Sequence, residues 1–150
     1  MSRAEQFAPA SAAVVERWAN FGRWDREYFP KLVGLVVEEV RTDYCRMRMP
    51  FRPELEQPAG VVHGGAIATL LDSVVVPAVG SAYTAEHRYS TVDFHIQYLA
   101  AMVQEDAIAE GWIVRRGRST VFCEAEAVGA TSGKLLARSL LTYNVSAPRS

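Results

Sequence analysis

Several absences narrow what this chain does. It has only 2 cysteines, Cys45 and Cys123, and no CxxC pair. Both lie in apolar alternating stretches far apart in sequence, so they read as reduced thiols rather than as a disulfide. Its 3 histidines are scattered without metal-ligand spacing, so no metal is expected. Charge of neither sign predominates: 16 basic and 17 acidic residues give a formal net charge of −1, mixed along the chain. Nothing in that balance looks like an electrostatic surface for nucleic acid or anionic lipid. No apolar run approaches the ~18 residues of a membrane span, and the N-terminal MSRAEQFAPA has no apolar signal core. The expectation is a soluble, cytoplasmic protein. A G-x-S-x-G elbow is missing, which argues against a serine α/β-hydrolase. Gly129–Lys134 (GATSGK) lacks the spacing of a phosphate loop and the hydroxyl residue after Lys, so it reads as a β-turn.

What is present suits one domain over residues 1–150, with 49% hydrophobic and 22% charged residues. At this length much surface stays exposed, so self-association would help. Residues 1–10 look like a loose tail. Ser11–Asn20 has helical spacing, with Ser11 as N-cap and Gly22 as stop. Strand patterning starts at Leu32 and runs to Val40, then resumes in the strict alternation of Tyr44–Met49, with Thr42-Asp43 as the turn between. Ala66 to about Val79 is long and almost wholly apolar and reads as a buried helix, which Pro77 should kink or shorten. Four strand-like segments follow: Tyr89–Ala101, Asp106–Arg116, Ser119–Ala130 and Lys134–Val145. Short turns between long strands imply an antiparallel meander, and a sheet curling around the one apolar helix is the simplest way to bury it. The class is α+β.

The most informative stretch is Gln57–Val74 (QPAGVVHGGAIATLLDSV). Asp72 is the only charge between His63 and Glu86. An isolated carboxylate inside an apolar helix is costly unless paired or hydrogen-bonded. It serves either a structural hydrogen-bond network or chemistry. Gly64 and Gly65 open the same helix. They provide either a tight turn needing positive φ, or bare first-turn N–H groups at the positive end of the helix dipole, suited to an oxyanion. Gly64 and Asp72 stand eight positions apart, roughly 12 Å along a helix at 1.5 Å per residue. One chain therefore cannot bring both to a single carbonyl. Two chains related by a twofold axis, with these helices antiparallel, can.

AGVVHGGAIATLLD, followed by TVDFHIQYL, RRGRSTVFCEAEA and GKLLARSLLTYNV, resembles the PaaI-like acyl-CoA thioesterases of the hotdog fold, from about Leu32 to Val145. The resemblance implies an antiparallel sheet wrapped around one long central helix, here with a short N-terminal helix added. It implies homodimers with a continuous sheet, often paired as dimers of dimers, and hydrolysis of acyl-CoA to free acid and CoA. No cofactor is implied, since CoA is part of the substrate. By position Asp72 matches the helix carboxylate acting as general base or nucleophile. Gly64 matches the residue whose N–H polarises the thioester carbonyl. Gln57 matches a side-chain amide near the thioester or the attacking water, and Thr91 a hydroxyl that helps to place water. His63, with Gly65, belongs to the motif and is expected to brace the turn rather than transfer protons. Two departures stand out: Tyr98–Glu105 (YLAAMVQE) replaces the usual Arg-Pro and acidic turn, and Val76 sits where some relatives carry a hydroxyl.

Arg115, Arg116 and Arg118 flank a turn at Gly117, either as a solvated hairpin tip or as contacts to the phosphates of CoA. His95 alternates with apolar strand residues and reads as a strand histidine; His87 reads as solvated. Trp18, Phe21 and Trp24 either cap a pocket or pack on the sheet. The favoured substrate is an aryl- or medium-chain acyl-CoA. The alternatives are a non-catalytic acyl-CoA binding or sensing module and a hotdog enoyl-CoA hydratase, whose His-containing strand motifs are missing.

Overall fold

The computed structural model describes residues 2–147; Met1 and residues 148–150 lie outside the described residues. Three helices, α1 (Ala12–Ala19), α2 (Phe29–Val33) and α3 (Gly64–Gly80), accompany six strands. These are β1 (Val36–Arg41), β2 (Tyr44–Met49), β3 (Arg88–Tyr98), β4 (Ala107–Arg116), β5 (Thr120–Gly129) and β6 (Leu135–Ser146). They form one antiparallel sheet in the order β1-β2-β4-β5-β6-β3, curled around α3. This is the hotdog arrangement that the resemblance implies.

α3 buries Leu70, Leu71, Val74, Val75, Ala78 and Val79 completely against the inner sheet face. Facing it are the alternate residues Cys45, Met47 and Met49 of β2 and Val121, Cys123, Ala125 and Ala127 of β5. β4 crosses the helix at Gly111, where an added Cβ would meet Val74 and Val75 methyl carbons at 2.9 Å. The helix does not stop at Pro77 but continues to Gly80. Its last carbonyls are taken up from outside: Arg116 Nη2 donates to Ala78 O (3.0 Å) and Val79 O (2.9 Å), and Arg17 Nη2 to Gly80 O (2.8 Å). These cations complement the negative end of the helix.

The structure corrects three expectations. First, the strand expected from Leu32 begins at Val36, because Leu32 and Val33 belong to α2. Pro30 sits in the first turn of α2. Gly34, at φ +86°, ends it by donating to Pro30 O and Lys31 O while Leu35 N–H also returns to Pro30 O. Second, the strands are not a simple meander. β4, β5 and β6 follow one another, but β3 crosses to the far edge and pairs with β6. Third, residues 2–10 are not loose. Arg3 lies over the Trp112 ring at 3.6 Å and pairs with Glu110 and Glu126, Phe7 stacks on Tyr44, and Thr42 N–H donates to Ala8 O. Among the described residues no helix is long and apolar enough to cross a membrane.

Candidate active site

α3 starts at a polar turn. His63 is its N-cap: Nδ1 accepts from the Gly65 N–H at 2.8 Å and its carbonyl from the Ala66 N–H at 2.9 Å. An accepting Nδ1 puts the ring proton on Nε2. Among the described residues, the Gly64 N–H has no acceptor. It is one of the orphan donors of a helix start, with the positive dipole end behind it. Neither Gly64 nor Gly65 has a positive φ, so the tight-turn reading does not account for them. Close approach does: a Cβ on Gly64 would lie 3.0 Å from the Tyr98 ring, and one on Gly65 2.9 Å from His63 Nδ1. Tyr98 Oη also donates to Gly64 O at 2.7 Å.

Gln57 sits in the turn before the helix, where Gln57 N–H donates to Val61 O and Gly60 takes φ +78°. Its exposed side chain shares with Gly64 an open cleft of about 480 Å³, walled by Tyr98, Leu99 and Met102.

Asp72 lies elsewhere. The carboxylate expected to be deeply buried is half-buried in the single chain, on the helix stripe that also carries Thr69 and Val76. Oδ1 accepts from Tyr143 Oη at 2.6 Å and Thr91 Oγ1 at 2.9 Å. Tyr143 Oη is also 2.8 Å from Asp72 O. Oδ2 has no hydrogen bond among the described residues. The cleft above it, about 330 Å³, has apolar walls from Phe21, Phe29, Pro30, Val76 and Tyr89. Phe21 belongs to the aromatic group singled out in sequence and reaches this cleft, whereas Trp18 and Trp24 line a neighbouring one.

Tyr143 was not singled out in sequence, although a signal existed. It alternates with Leu141 and Val145, which face the core, and it stands directly opposite Thr91 in the β3–β6 register. Antiparallel neighbours point to the same face. Burial first, and then the charge and hydrogen bond of Asp72, push the Tyr143 phenol well above the ordinary tyrosine range, so it stays a donor.

The arginines separate. Arg115 and Arg118 are exposed. Arg116 donates to the carbonyls of α3 and, through Nε, to Asp43 Oδ1 at 2.8 Å, so its guanidinium already has a structural role at the end of the helix. His95 opens onto a shallow groove beside Glu124 and Arg138, in a different cleft from Asp72, and His87 stacks on Tyr83. Among the described residues no three His, Cys, Asp or Glu side chains cluster as a metal site would require.

The arrangement thus offers a bare amide beside a side-chain amide in one cleft and an oriented carboxylate in another. A profile of the thioesterase superfamily matches residues 59–135, which include Gly64, Asp72 and Thr91 but not Gln57. The chain is similar to acyl-coenzyme A thioesterase 13 of Mus musculus, 31% identical over 71% of this chain and 74% of that protein. The Homo sapiens protein of the same name is 27% identical over 63% of this chain and 66% of its own length. Among solved structures, a thioesterase family protein from Silicibacter pomeroyi superposes with a TM-score of 0.78 over 87% of this chain and 99% of that one, at 23% identity. A thioesterase from Haemophilus influenzae does so at 0.77 over 85% and 89%, at 20% identity.

Proposed function

Because the chain belongs to the thioesterase superfamily and is a thioester hydrolase, we propose that it hydrolyses an aryl- or medium-chain acyl-CoA, at a site built by two copies of the chain. The observation that carries this reading is the split site: Gly64 and Gln57 line one cleft, Asp72 and Thr91 another. On one helix the two ends are roughly 12 Å apart, too far for a shared carbonyl. A twofold partner with its α3 antiparallel brings its Gly64 opposite Asp72. Dimers of dimers are part of the same proposal.

The thioester carbonyl oxygen then accepts from the Gly64 N–H, which stabilises the oxyanion as it forms. Asp72 Oδ2 takes a proton from a water, and the resulting hydroxide attacks the carbonyl carbon. Collapse of the tetrahedral adduct breaks the C–S bond, and the proton held by Asp72 passes to the CoA sulfur. Thr91 donates a hydrogen bond to Asp72 Oδ1 and keeps lone pairs to accept from the water. Gln57 holds the thioester or the water from the other side. The apolar walls around Asp72 receive the acyl group, which favours aromatic and medium-length chains over charged ones. Arg115 and Arg118 remain as contacts for CoA phosphates. No cofactor is required, and His63 braces the turn.

The test is thiol release from a panel of acyl-CoAs by the parent, Asp72→Asn and Asp72→Ala. Removing the base should lower kcat by about 10²- to 10⁴-fold with acyl-CoA binding retained. Full activity in Asp72→Asn, or tight binding without turnover across the panel in the parent, would overturn the reading.

A further inference from the structure

We infer that Tyr143 is a positioning residue for the hydrolysis: its hydroxyl, with Thr91, fixes Asp72 by one oxygen so that only Oδ2 serves the reaction. This rests on the reading of Asp72 as the base. Tyr143 is 2% exposed, and its ring packs among inward-facing residues of β6 and α3. For packing alone phenylalanine would serve, because a buried hydroxyl costs stability unless it is bonded. Its only hydrogen-bond acceptors, among the described residues, are Oδ1 and the main-chain carbonyl of Asp72. The short contact to the charged oxygen is the stronger of the two.

Thr91, its register partner, donates to the same Oδ1. The carboxylate is therefore asymmetric, with two donors on one oxygen and none on the other. The same phenol touches backbone and side chain of Asp72, which ties the carboxylate's direction to the axis of α3. Its raised proton affinity keeps it a donor and excludes it as the base. Within one chain the groups lining the cleft at Asp72 are uncharged: Thr69 and Ser73 from α3, Tyr89 and Thr91 from β3, Tyr143 from β6, with Phe21, Phe29 and Pro30 above; the titratable group of the proposed opposite half is His63, whose Nδ1 is held by the Gly65 N–H. A change in the pH profile on altering Tyr143 thus reports on Asp72.

The experiment compares the parent, Tyr143→Phe and the full-length chain carrying 3-fluorotyrosine at 143, by unfolding temperature and by kcat and KM against pH. A hydroxyl donating to a carboxylate favours its charged form, so deleting it moves the acid limb of the profile to higher pH. We expect that shift in Tyr143→Phe, with kcat down roughly tenfold and KM nearly unchanged. Fluorotyrosine keeps the ring and donates more strongly, so it should move the limb toward lower pH, and it reports even if Tyr143→Phe folds poorly. An acid limb unmoved in the fluorotyrosine protein, or in a folded Tyr143→Phe, would overturn the inference. If Asp72→Asn is inactive and the limb stays fixed, only Tyr143 loses its role; if Asp72→Asn is fully active, the reading of Asp72 falls as well.

Discussion

His63 adjoins Gly64, the proposed oxyanion donor, and its ring chemistry invites a role in proton transfer, yet its bonding points elsewhere. Nδ1 is occupied by the Gly65 N–H, and the carbonyl by the Ala66 N–H, so the residue holds the first turn of α3 while the Gly64 N–H stays free. An N-cap needs only a short acceptor, and asparagine is among the best. His63→Asn should therefore keep most of kcat/KM, within about threefold, and unfold at nearly the parent's denaturant midpoint. His63→Ala should lose about 1 kcal/mol of stability, the usual cost of a missing cap, and more activity than the Asn variant. Equal, severe loss of kcat in both variants, with stability intact, would mean that the imidazole moves protons after all.

Among the elements, the C-terminus of α3 makes the clearest demand. Arg116 donates to two carbonyls there and bridges to Asp43. Arg116→Met keeps most of the stem and removes three bonds from a charged donor, so it should cost about 2–3 kcal/mol in chemical denaturation. KM for acyl-CoA should not change. Unchanged stability with a KM raised several-fold would restore Arg116 to the phosphate role. The helix itself was legible in sequence because seventeen mostly apolar residues beginning at a glycine pair leave few alternatives. β2 was legible from its strict alternation, and Asp72 stood out as a lone charge. The five-residue α2 is too short to show periodicity, so the Val-Leu run hid it despite Pro30 and Gly34. The place of β3 beside β6 is set by pairing across the whole chain, which local patterning does not carry. Tyr143 was hidden for the same reason, since its role follows from the register that sets it opposite Thr91. Arg3 gives no sign in sequence that Trp112 and two glutamates await it on the sheet.

At the scale of the whole molecule, two features of the single chain are unfinished. β3 is an eleven-residue edge strand with sheet on one side only, and Val92, Tyr98 and Leu99 along it and just past its end are 65%, 50% and 51% exposed. Long unprotected edges are a liability that proteins usually cover. The stripe of α3 carrying Thr69, Asp72 and Val76 is also only partly covered. In the proposed dimer, a twofold partner joined along β3 would cover both and bring the amide and carboxylate halves together. Two disabled chains test this. Proline at the first helical position removes the N–H without breaking the helix, so Gly64→Pro deletes the proposed oxyanion donor; its ring displaces the neighbouring Tyr98, while Asp72, two turns along α3, stays in place. Asp72→Ala deletes the proposed base and leaves Gly64. Each homodimer should be inactive. A mixed dimer has one site with both defects and one with neither. Random 1:1 exchange makes half the dimers mixed, so activity should return to about a quarter of the parent's. If the donor and the base came from the same chain, no mixture would recover. Verified mixed dimers with no thiol release would therefore show that each chain works alone, and the separation of Gly64 from Asp72 along α3 would then need a different resolution.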